Sequence, residues 1–312
     1  MVVVWVRGFK DRSRAQTRSK MAARPPDTYD HMGTWWVMDP PVATRRRNAT
    51  GPPYLQFWSD RASMTRPPTA LQLWTVRDAF AADADRSLSQ VKAAGFSAAE
   101  LAPLPPGLTP ARLADCLARH DLAVVSIHCD LPTPTTIAQW AHLARECRCS
   151  KLIWHGWPRD PRFDSIGGIQ ELITACNAAG ALAREHGLVF GMHNHWWEFE
   201  LVDGRRPIRL LHEALHPDIF WQLDVYWAQT AGADPAEVVS ELGLRLRSVH
   251  WKDGPCVHGQ PMTALGRGKV DVPPIMRALT HPVDWVIELD ECDPDPLEAA
   301  RQSRVYLESM AG

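Results

Sequence analysis

The chain has 312 residues, of which 45% are hydrophobic and 22% charged, and its net charge of −2 is typical of a globular protein. Residues 1–63 hold 11 Lys/Arg against 5 Asp/Glu, a charge of +6, so residues 64–312 carry −8. An acidic body is a poor match for nucleic acid, and no apolar run approaches the roughly 18 residues of a membrane span. Seven irregularly spaced cysteines indicate reduced thiols rather than a disulfide framework, so we expect a cytoplasmic protein.

Residues 1–63 differ in pattern from the rest of the chain. They combine an Arg tract at Arg45–Arg47 with Pro pairs and isolated Trp residues, and they sustain neither a helical nor a strand period. We expect either a disordered extension or a stretch upstream of a natural start at Met64. Residues 64–312 then form one domain of about the length of a single TIM barrel, which we expect to be the catalytic domain.

From residue 64 onward, strand and helix patterns alternate. Eight short apolar runs are typical of buried parallel strands: Ala70–Val76, Ser97–Leu101, Ala123–His128, Lys151–Trp154, Val189–His193, Ile219–Asp224, Leu246–Trp251 and Trp285–Leu289. Segments with helical spacing lie between or after them: Ser87–Ala94, Pro110–His120, Thr136–Cys147, Ile169–His186, Ala233–Leu242, Pro273–Leu279 and Pro296–Met310. This alternation predicts an α/β fold, the (β/α)8 TIM barrel. The Asp203-Gly204 dipeptide predicts a small hairpin after the fifth strand.

Four strands in the second half of the chain end on a residue that can bind a metal ion. These residues are His193, Asp224, His250 and Glu288. Because the carboxyl ends of parallel barrel strands open on one face, the four side chains can converge on a single ion. Their mixture of nitrogen and oxygen ligands suits Mn²⁺, Co²⁺, Zn²⁺ or Fe²⁺ better than Ca²⁺. The sequence therefore predicts a divalent-metal site, whose ion would polarise a substrate oxygen.

Other residues at strand ends are candidates for contact with substrate. His195 shares a strand face with His193, so either ring could ligate the metal or transfer protons. Lys252 lies two residues past His250 and can reach substrate oxygens from the same face. The remaining candidates for substrate binding are Glu100, His128, His155, Trp197 and Trp227. Each of them could equally have a structural role, and a chain with 14 Trp places some at strand ends by chance.

At these residues the chain resembles the xylose isomerase-like TIM-barrel superfamily, in its sugar phosphate isomerase/epimerase branch. The resemblance runs from about Leu71 to Leu307. Its markers, in chain order, are Leu71–Asp78, Gly95–Leu101, His193-Asn-His195 with Glu198-Phe199, Asp224–Trp227, Val249–Asp253, Leu265–Gly268 with Asp271, and Ile287–Asp290. Each marker is weak alone, but their order and spacing are specific.

The resemblance implies a divalent metal near Asp224, His250, Glu288 and a residue of the fifth strand. It also implies proton transfer next to the carbonyl of a small-molecule sugar or keto-sugar. Better-known epimerases of this superfamily carry Glu on the fifth strand, where this chain has His193. Since such epimerases use two glutamates as opposed acid and base, His193 or His195 would have to pair with Glu288 here.

The preferred interpretation is a metal-dependent sugar isomerase or epimerase of carbohydrate metabolism, in which Glu288, His193, His195 and Lys252 are the candidate catalytic residues. A dehydratase or lyase on a keto-sugar or keto-inositol is the second choice, because both reactions begin with removal of a proton next to a carbonyl. A non-catalytic sugar-binding barrel is an alternative of another class. The DNA-cleaving endonuclease IV branch fits poorly with a charge of −8. The sequence leaves the oligomeric state open, with a homodimer as one option, since barrels of this kind often pair through their mouths.

Overall fold

A computed structural model describes residues 68–310, so the expectation for residues 1–63 lies outside the described residues. Eight parallel strands close into one barrel in sequence order, each pairing with the next and β8 pairing with β1. The strands are β1 Thr69–Gln72, β2 Ala98–Leu101, β3 Ala123–Cys129, β4 Lys151–Trp154, β5 Val189–His193, β6 Phe220–Asp224, β7 Leu246–Trp251 and β8 Asp284–Ile287. The predicted (β/α)8 TIM barrel is confirmed.

Ten α-helices cover the outside of the barrel in the described part of the chain. They are α1 Arg77–Ala82, α2 Ala84–Ala93, α3 Pro110–Arg119, α4 Ile137–Glu146, α5 Ile166–Glu185, α6 Pro207–Ala214, α7 Val225–Thr230, α8 Pro235–Leu242, α9 Val272–Ala278 and α10 Pro296–Met310. Local chemistry sets their ends: the Ser165 side chain accepts from the Gly168 backbone N–H at the start of α5. Gly187, at φ 73°, ends the segment after α5 and lets β5 begin.

The expectations for several elements need correction. The first strand was predicted to run to Val76, but it ends at Gln72 and a 3-10 turn covers Leu73–Val76, because the Gln72 side chain accepts from the backbone N–H of Trp74 and caps that turn. Helices α1, α6 and α7 were not predicted, and all three are shorter than three turns. In α7 most residues are buried, so the segment shows no helical period.

The predicted hairpin after β5 is present. Val202 and Arg205 exchange two backbone hydrogen bonds of 2.9 and 3.0 Å. Asp203 and Gly204 between them both have positive φ, at 48° and 76°, as a two-residue turn with right-handed strand twist requires.

Strand alternation gives the barrel two faces. Outward-facing residues such as Leu71, Leu152 and Ile287 join the core between sheet and helices. At the amino-terminal end of the interior, Ala70, Ala98 and Val286 form a separate small apolar cluster. A polar layer follows toward the carboxyl ends of the strands, and it positions the candidate site.

Two further sequence expectations concern cysteines and membranes. All seven cysteines are free thiols, and five of them are buried. Among the described residues, no helix is both long enough and apolar enough to cross a membrane.

Candidate active site

The four predicted metal ligands end adjacent strands and lie in the barrel mouth. His193 and Asp224 are the last residues of β5 and β6, His250 is next to last in β7, and Glu288 directly follows β8. All four are at least 95% buried. Ligand atoms of Asp224, His250 and Glu288 lie within 4.8 Å of one another, and those of His193, His250 and His128 form a second such group. The four side chains therefore lie close together, but in two overlapping groups that share His250 rather than around a single point.

The two oxygens of the Asp224 carboxylate have different environments. Oδ1 accepts a 2.9 Å hydrogen bond from the Trp227 N–H and thereby caps α7. Oδ2 is buried and accepts no hydrogen bond of good geometry. Its near neighbours are Lys252 Nζ at 2.9 Å and His193 Nε2 at 3.8 Å. An unsatisfied carboxylate oxygen in a buried site is costly unless a cation faces it.

The Gln222 side chain fixes which nitrogen of His193 carries the proton. Its Nε2 lies 2.6 Å from Glu100 Oε2, and because a carboxylate only accepts, the amide nitrogen must point there. Gln222 Oε1 then faces His193 Nδ1 at 3.0 Å, so Nδ1 must donate. Burial lowers the pKa of His193 well below its usual value, with nearby His250 adding to the effect. The neutral ring therefore turns the lone pair of Nε2 toward Asp224 Oδ2, and two facing lone pairs are suited to an intervening cation.

His250 lies between two carboxylates. Its Nε2 is 2.5 Å from Glu100 Oε1, and its Nδ1 is 2.9 Å from Glu288 Oε2. Burial would lower the pKa of His250, but the two carboxylates outweigh it and raise that pKa to about 10. Burial likewise opposes ionisation of Glu100, yet the His128 and His250 rings lower its pKa to about 2. Glu100 also accepts from Gln72 and Ser126, so both of its oxygens are fully used.

Lys252 is buried with its ammonium group among three carboxylates. Nζ lies 2.9 Å from Asp224 Oδ2, 2.6 Å from Glu288 Oε2 and 2.8 Å from Asp290 Oδ2. Burial would lower its pKa, but these carboxylates raise it well above the usual value. Burial, together with the charges of Glu288 and Asp224, raises the pKa of Asp290 to about 6.

The charges of this cluster favour a bound cation. With all four ionised, Glu100, Asp224, Glu288 and Asp290 contribute four negative charges, against two positive charges on His250 and Lys252. This balance of −2 attracts a cation, and it becomes −3 when His250 gives up a proton to act as a ligand, because a protonated imidazole has no lone pair for a metal. Asp224 Oδ2, which forms an ion pair with the Lys252 ammonium at 2.9 Å, and the Nε2 lone pair of His193 add to this negative charge, so the donor set fits a divalent metal.

His195 lies one step further out than His193 and has a different environment. Its ring stacks on Trp197 at 4.2 Å and 15°, and its Nδ1 has no hydrogen-bond partner. Burial lowers the pKa of His195 well below the usual value. The backbone N–H of His195 donates to Glu198 Oε2 at 2.8 Å, and this hydrogen bond stabilises the turn after β5. His195 is therefore a neutral imidazole with one free nitrogen at the inner rim of the mouth.

Aromatic rings surround the mouth. Trp157 is 56% exposed, and its backbone N–H donates to His155 Nδ1 at 3.0 Å. The Trp196 ring contacts the rings of Trp157, Trp227 and His258, with centroids 6.2, 4.8 and 3.6 Å away. These rings offer the flat apolar surface that packs against the C–H face of a sugar ring.

Only some of the predicted substrate-binding residues lie at the open mouth of the barrel, and the others are buried in its interior or behind other side chains. Glu100 is fully buried in the interior layer, and Trp197 is 1% exposed behind His195. His128 belongs to the same interior layer, where its Nε2 lies 2.6 Å from Gln222 Oε1. His155 holds the loop that carries Trp157. Trp227 donates from Nε1 to Asp290 Oδ2 at 3.2 Å and adjoins the Lys252 ammonium at 6.0 Å.

Sequence reasoning missed several residues of the site, and strand alternation could have found most of them. Ser126, Gln222 and Ser248 each lie two residues before a predicted site residue, and Asp290 lies two after Glu288. Residues two apart on a strand share a face, so a polar residue at such a position belongs to the same interior. Trp157 gave no such signal, because it lies in a loop.

Comparison with known proteins agrees with this geometry. Residues 88–310 match the model of the family described as xylose isomerase-like TIM barrel. The chain belongs to the xylose isomerase-like TIM-barrel family. No curated protein matches the chain.

Solved structures with a similar fold come from several enzymes. A sugar phosphate isomerase/epimerase from Parabacteroides distasonis is 19% identical with a TM-score of 0.65, over 79% of this chain and 96% of that one. D-allulose 3-epimerase from Methylomonas sp., solved with D-allulose, is 18% identical with a TM-score of 0.58, over 78% and 97%. A probable 3-DHS dehydratase from Bacillus anthracis is 16% identical with a TM-score of 0.61, over 78% and 99%. At these identities the likeness concerns the barrel fold.

Proposed function

We propose that this protein is a divalent-metal-dependent isomerase or epimerase of a small sugar or keto-sugar, acting by proton transfer next to a carbonyl. The single observation that carries the proposal is the pair of facing acceptors, His193 Nε2 and Asp224 Oδ2, beside His250 and Glu288. Acceptors without protons between them are stabilised by a cation. Mn²⁺, Co²⁺, Zn²⁺ and Fe²⁺ suit this mixed donor set.

The metal would be held by His193 through Nε2, by Asp224 through Oδ2, and by His250 and Glu288 on the adjoining strands. When bound, a divalent ion supplies a Lewis acid that draws electron density from a carbonyl oxygen and makes the neighbouring C–H bond more acidic. The chain must then supply a base, an acid and a site that excludes water.

His195 is the base that the geometry favours. It is neutral, its Nδ1 has no partner, and it lies at the inner rim of the mouth. Its stacking on Trp197 fixes the ring orientation. Lys252 is the best-placed cation to orient substrate oxygens. Trp157, Trp196 and Trp227 would cover the sugar and limit the access of water.

A dehydratase acting on a keto-sugar is the second candidate, and one observation favours it. Glu288 already faces the His250 ring and the Lys252 ammonium, and the pKa of Glu288 is lowered because their positive charges outweigh the effect of burial. A carboxylate so strongly ionised holds no proton at neutral pH, so it is poorly suited to return a proton to the opposite face of a sugar. In a dehydration, His195 would remove the proton from one face of the sugar and a hydroxyl group would then leave. No second acid or base on the opposite face is needed.

Proton NMR in D₂O with Mn²⁺ tests the proposal. The full chain would be incubated with a panel of ketopentoses and ketohexoses, with and without a phosphate group. An isomerase or epimerase exchanges the hydrogen next to the carbonyl for deuterium and yields signals of a second sugar. A dehydratase yields an unsaturated product with loss of water. Saturable binding of a sugar with neither exchange nor product would indicate the non-catalytic sugar-binding barrel instead.

A homodimer, a cytoplasmic location and a catalytic domain over residues 64–312 complete the proposal. The acidic charge of residues 64–312 and the aromatic rings around the mouth fit a small-molecule partner better than nucleic acid.

A further inference from the structure

The Lys252 ammonium occupies the same acidic cluster that the proposed metal would use. Its Nζ lies within 2.9 Å of Asp224 Oδ2 and within 2.6 Å of Glu288 Oε2, which are oxygens of two proposed ligands. A group so close to both oxygens lies in the space between them. A divalent ion with bonds of about 2.1 Å to the same oxygens would lie there too.

The ammonium and the ion cannot share this space at low cost. Both are positive, and the site is buried, so the repulsion between them is only weakly screened. Lys252 is 2% exposed and Asp224 is fully buried, which excludes bulk water from between the charges. One cation must therefore move when the other enters.

Asp290 gives Lys252 a second position. It lies two residues past Glu288 toward the mouth, and its side chain is 27% exposed, against 6% for Glu288. Of the three carboxylates, it alone accepts a hydrogen bond of good geometry from Nζ, at 2.8 Å. Trp227 Nε1 also donates to Asp290 Oδ2 and fixes that oxygen. A lysine that leaves Asp224 and Glu288 can stay bonded to Asp290, where it adjoins the aromatic mouth.

We propose that Lys252 is a resident counter-cation that competes with the divalent metal for Asp224 and Glu288, and that metal binding transfers its ammonium to Asp290 alone. This inference rests on the proposed function, because it concerns the same metal site. It assigns two roles to one residue. Without metal, Lys252 keeps the acidic cluster neutral enough to fold, and with metal it becomes a substrate-facing cation beside Trp227.

Calorimetric titration of the full chain with Mn²⁺ tests the competition. In Lys252→Met the side chain keeps its length but loses its charge, so we expect the Kd for Mn²⁺ to fall about tenfold or more, because a buried repulsion is removed. The metal-free variant should melt at a lower temperature than the metal-free wild type, and saturating Mn²⁺ should restore most of the loss. The matched control is Lys151→Met, which removes a partly buried lysine paired with Asp284 at the other end of the barrel and should leave the Kd unchanged.

The outcomes separate the two proposals. Tight Mn²⁺ binding by wild type with an equal or weaker Kd in Lys252→Met would overturn the competition and leave the metal site intact. Binding by the variant alone would support the competition and show that Lys252 takes the place of the metal in the native protein. Binding by neither would overturn both the metal site and the competition.

A crystal structure of the Mn²⁺-loaded wild type tests the transfer without a substitution. We expect Nζ to remain hydrogen-bonded to Asp290 and to lie out of contact with Asp224 and Glu288. A bound Mn²⁺ with Nζ still touching both of those carboxylates would overturn the proposal.

Discussion

The two ends of the barrel interior differ in the balance between positive and negative side chains. At the amino-terminal end, Lys151 and Asp284 form a salt bridge across the barrel, near the apolar cluster of Ala70, Ala98 and Val286. There one cation meets one anion. At the carboxyl-terminal end, Lys252 and His250 face four carboxylates, and Asp224 Oδ2 accepts no hydrogen bond. The first end pairs its charges, whereas the second keeps an excess of negative charge that suits a cationic ligand.

This difference teaches that burial of charge alone does not identify a functional site. Lys151, which is partly buried, and Lys252, which is fully buried, both lie next to aspartate. Only the second lies in a cluster whose negative charge exceeds its positive charge. Uncompensated charge at a strand end is costly to the fold, so its presence indicates a function that offsets the cost.

The largest expected effect comes from replacement of Asp224 Oδ2, the proposed ligand oxygen at the mouth. Asp224→Asn keeps the oxygen that caps α7 but replaces one anionic oxygen with an amide. We expect loss of bound metal and a fall in kcat/KM of about 10³-fold, equivalent to roughly 4 kcal/mol of transition-state stabilisation. Elemental analysis and steady-state kinetics measure both.

Asp234→Asn is the matched control for this variant. Asp234 caps α8 through a 2.8 Å bond to the Ala236 N–H and is exposed, so metal content and turnover should not change. Full metal content in Asp224→Asn would contradict the assignment of Asp224 as a ligand.

Loss of the Lys151–Asp284 salt bridge should lower the stability of the fold and leave the activity unchanged. Lys151→Met leaves Asp284 buried without its paired ammonium, and we expect the free energy of unfolding to fall by about 3 kcal/mol. Urea denaturation measures this loss. Lys92→Met, which breaks the exposed pair with Asp121, should cost less than about 1 kcal/mol. A loss of metal affinity in Lys151→Met would break the distinction between the two ends.

Packing below the polar layer gives a third prediction. A Cβ on Gly191 would lie 2.5 Å from the Phe220 ring, which fills the interior beside it. We expect Gly191→Ala to destabilise the fold by about 1–3 kcal/mol through overpacking. Gly167→Ala, in α5 with nothing within 4 Å of the new Cβ, should be neutral or slightly stabilising. Thermal melting of the two variants side by side tests this, and equal melting temperatures would contradict it.

A fourth prediction concerns pH and the turn that carries His195. Burial raises the pKa of Glu198 from 4.5 to about 8, against the opposing hydrogen bond from the His195 N–H. The folded state then keeps a proton that the unfolded state releases above about pH 4.5. Glu198 therefore stabilises the fold fully below that pH, and stability falls as pH rises toward 8, by up to about 1.4 kcal/mol per pH unit.

Glu198→Gln should remove this contribution to the slope, because the amide does not titrate. Urea midpoints at pH 5.5, 6.5 and 7.5 measure it against wild type. Glu200→Gln, at an exposed neighbour, should keep the wild-type slope. A Glu198→Gln slope equal to that of wild type would show that Glu198 is ionised in the folded protein.

Much of the barrel could be predicted from local sequence. The boundaries of β2, β4 and β5 agree with the apolar runs to within a residue, because a parallel strand buried on both faces is continuously hydrophobic. The four candidate ligands were also predictable, since each stands where such a run stops. The end of β1 was predicted wrongly, because the Gln72 side chain caps a 3-10 turn and so ends the strand before the hydrophobic run ends.

The sequence by itself determined the eight strands, their order and the polar residues at their carboxyl ends, because alternation and hydrophobic runs act over a few neighbouring residues. Only the tertiary structure decided which of these polar side chains contact one another. Glu100 and His250 are 150 positions apart and meet because closure of the barrel brings β2 and β7 side chains to one axis. The same closure gives Lys252 three carboxylates and leaves Asp224 Oδ2 without a hydrogen bond. Those contacts depend on side chains from several strands reaching one point, which no pattern along the chain encodes.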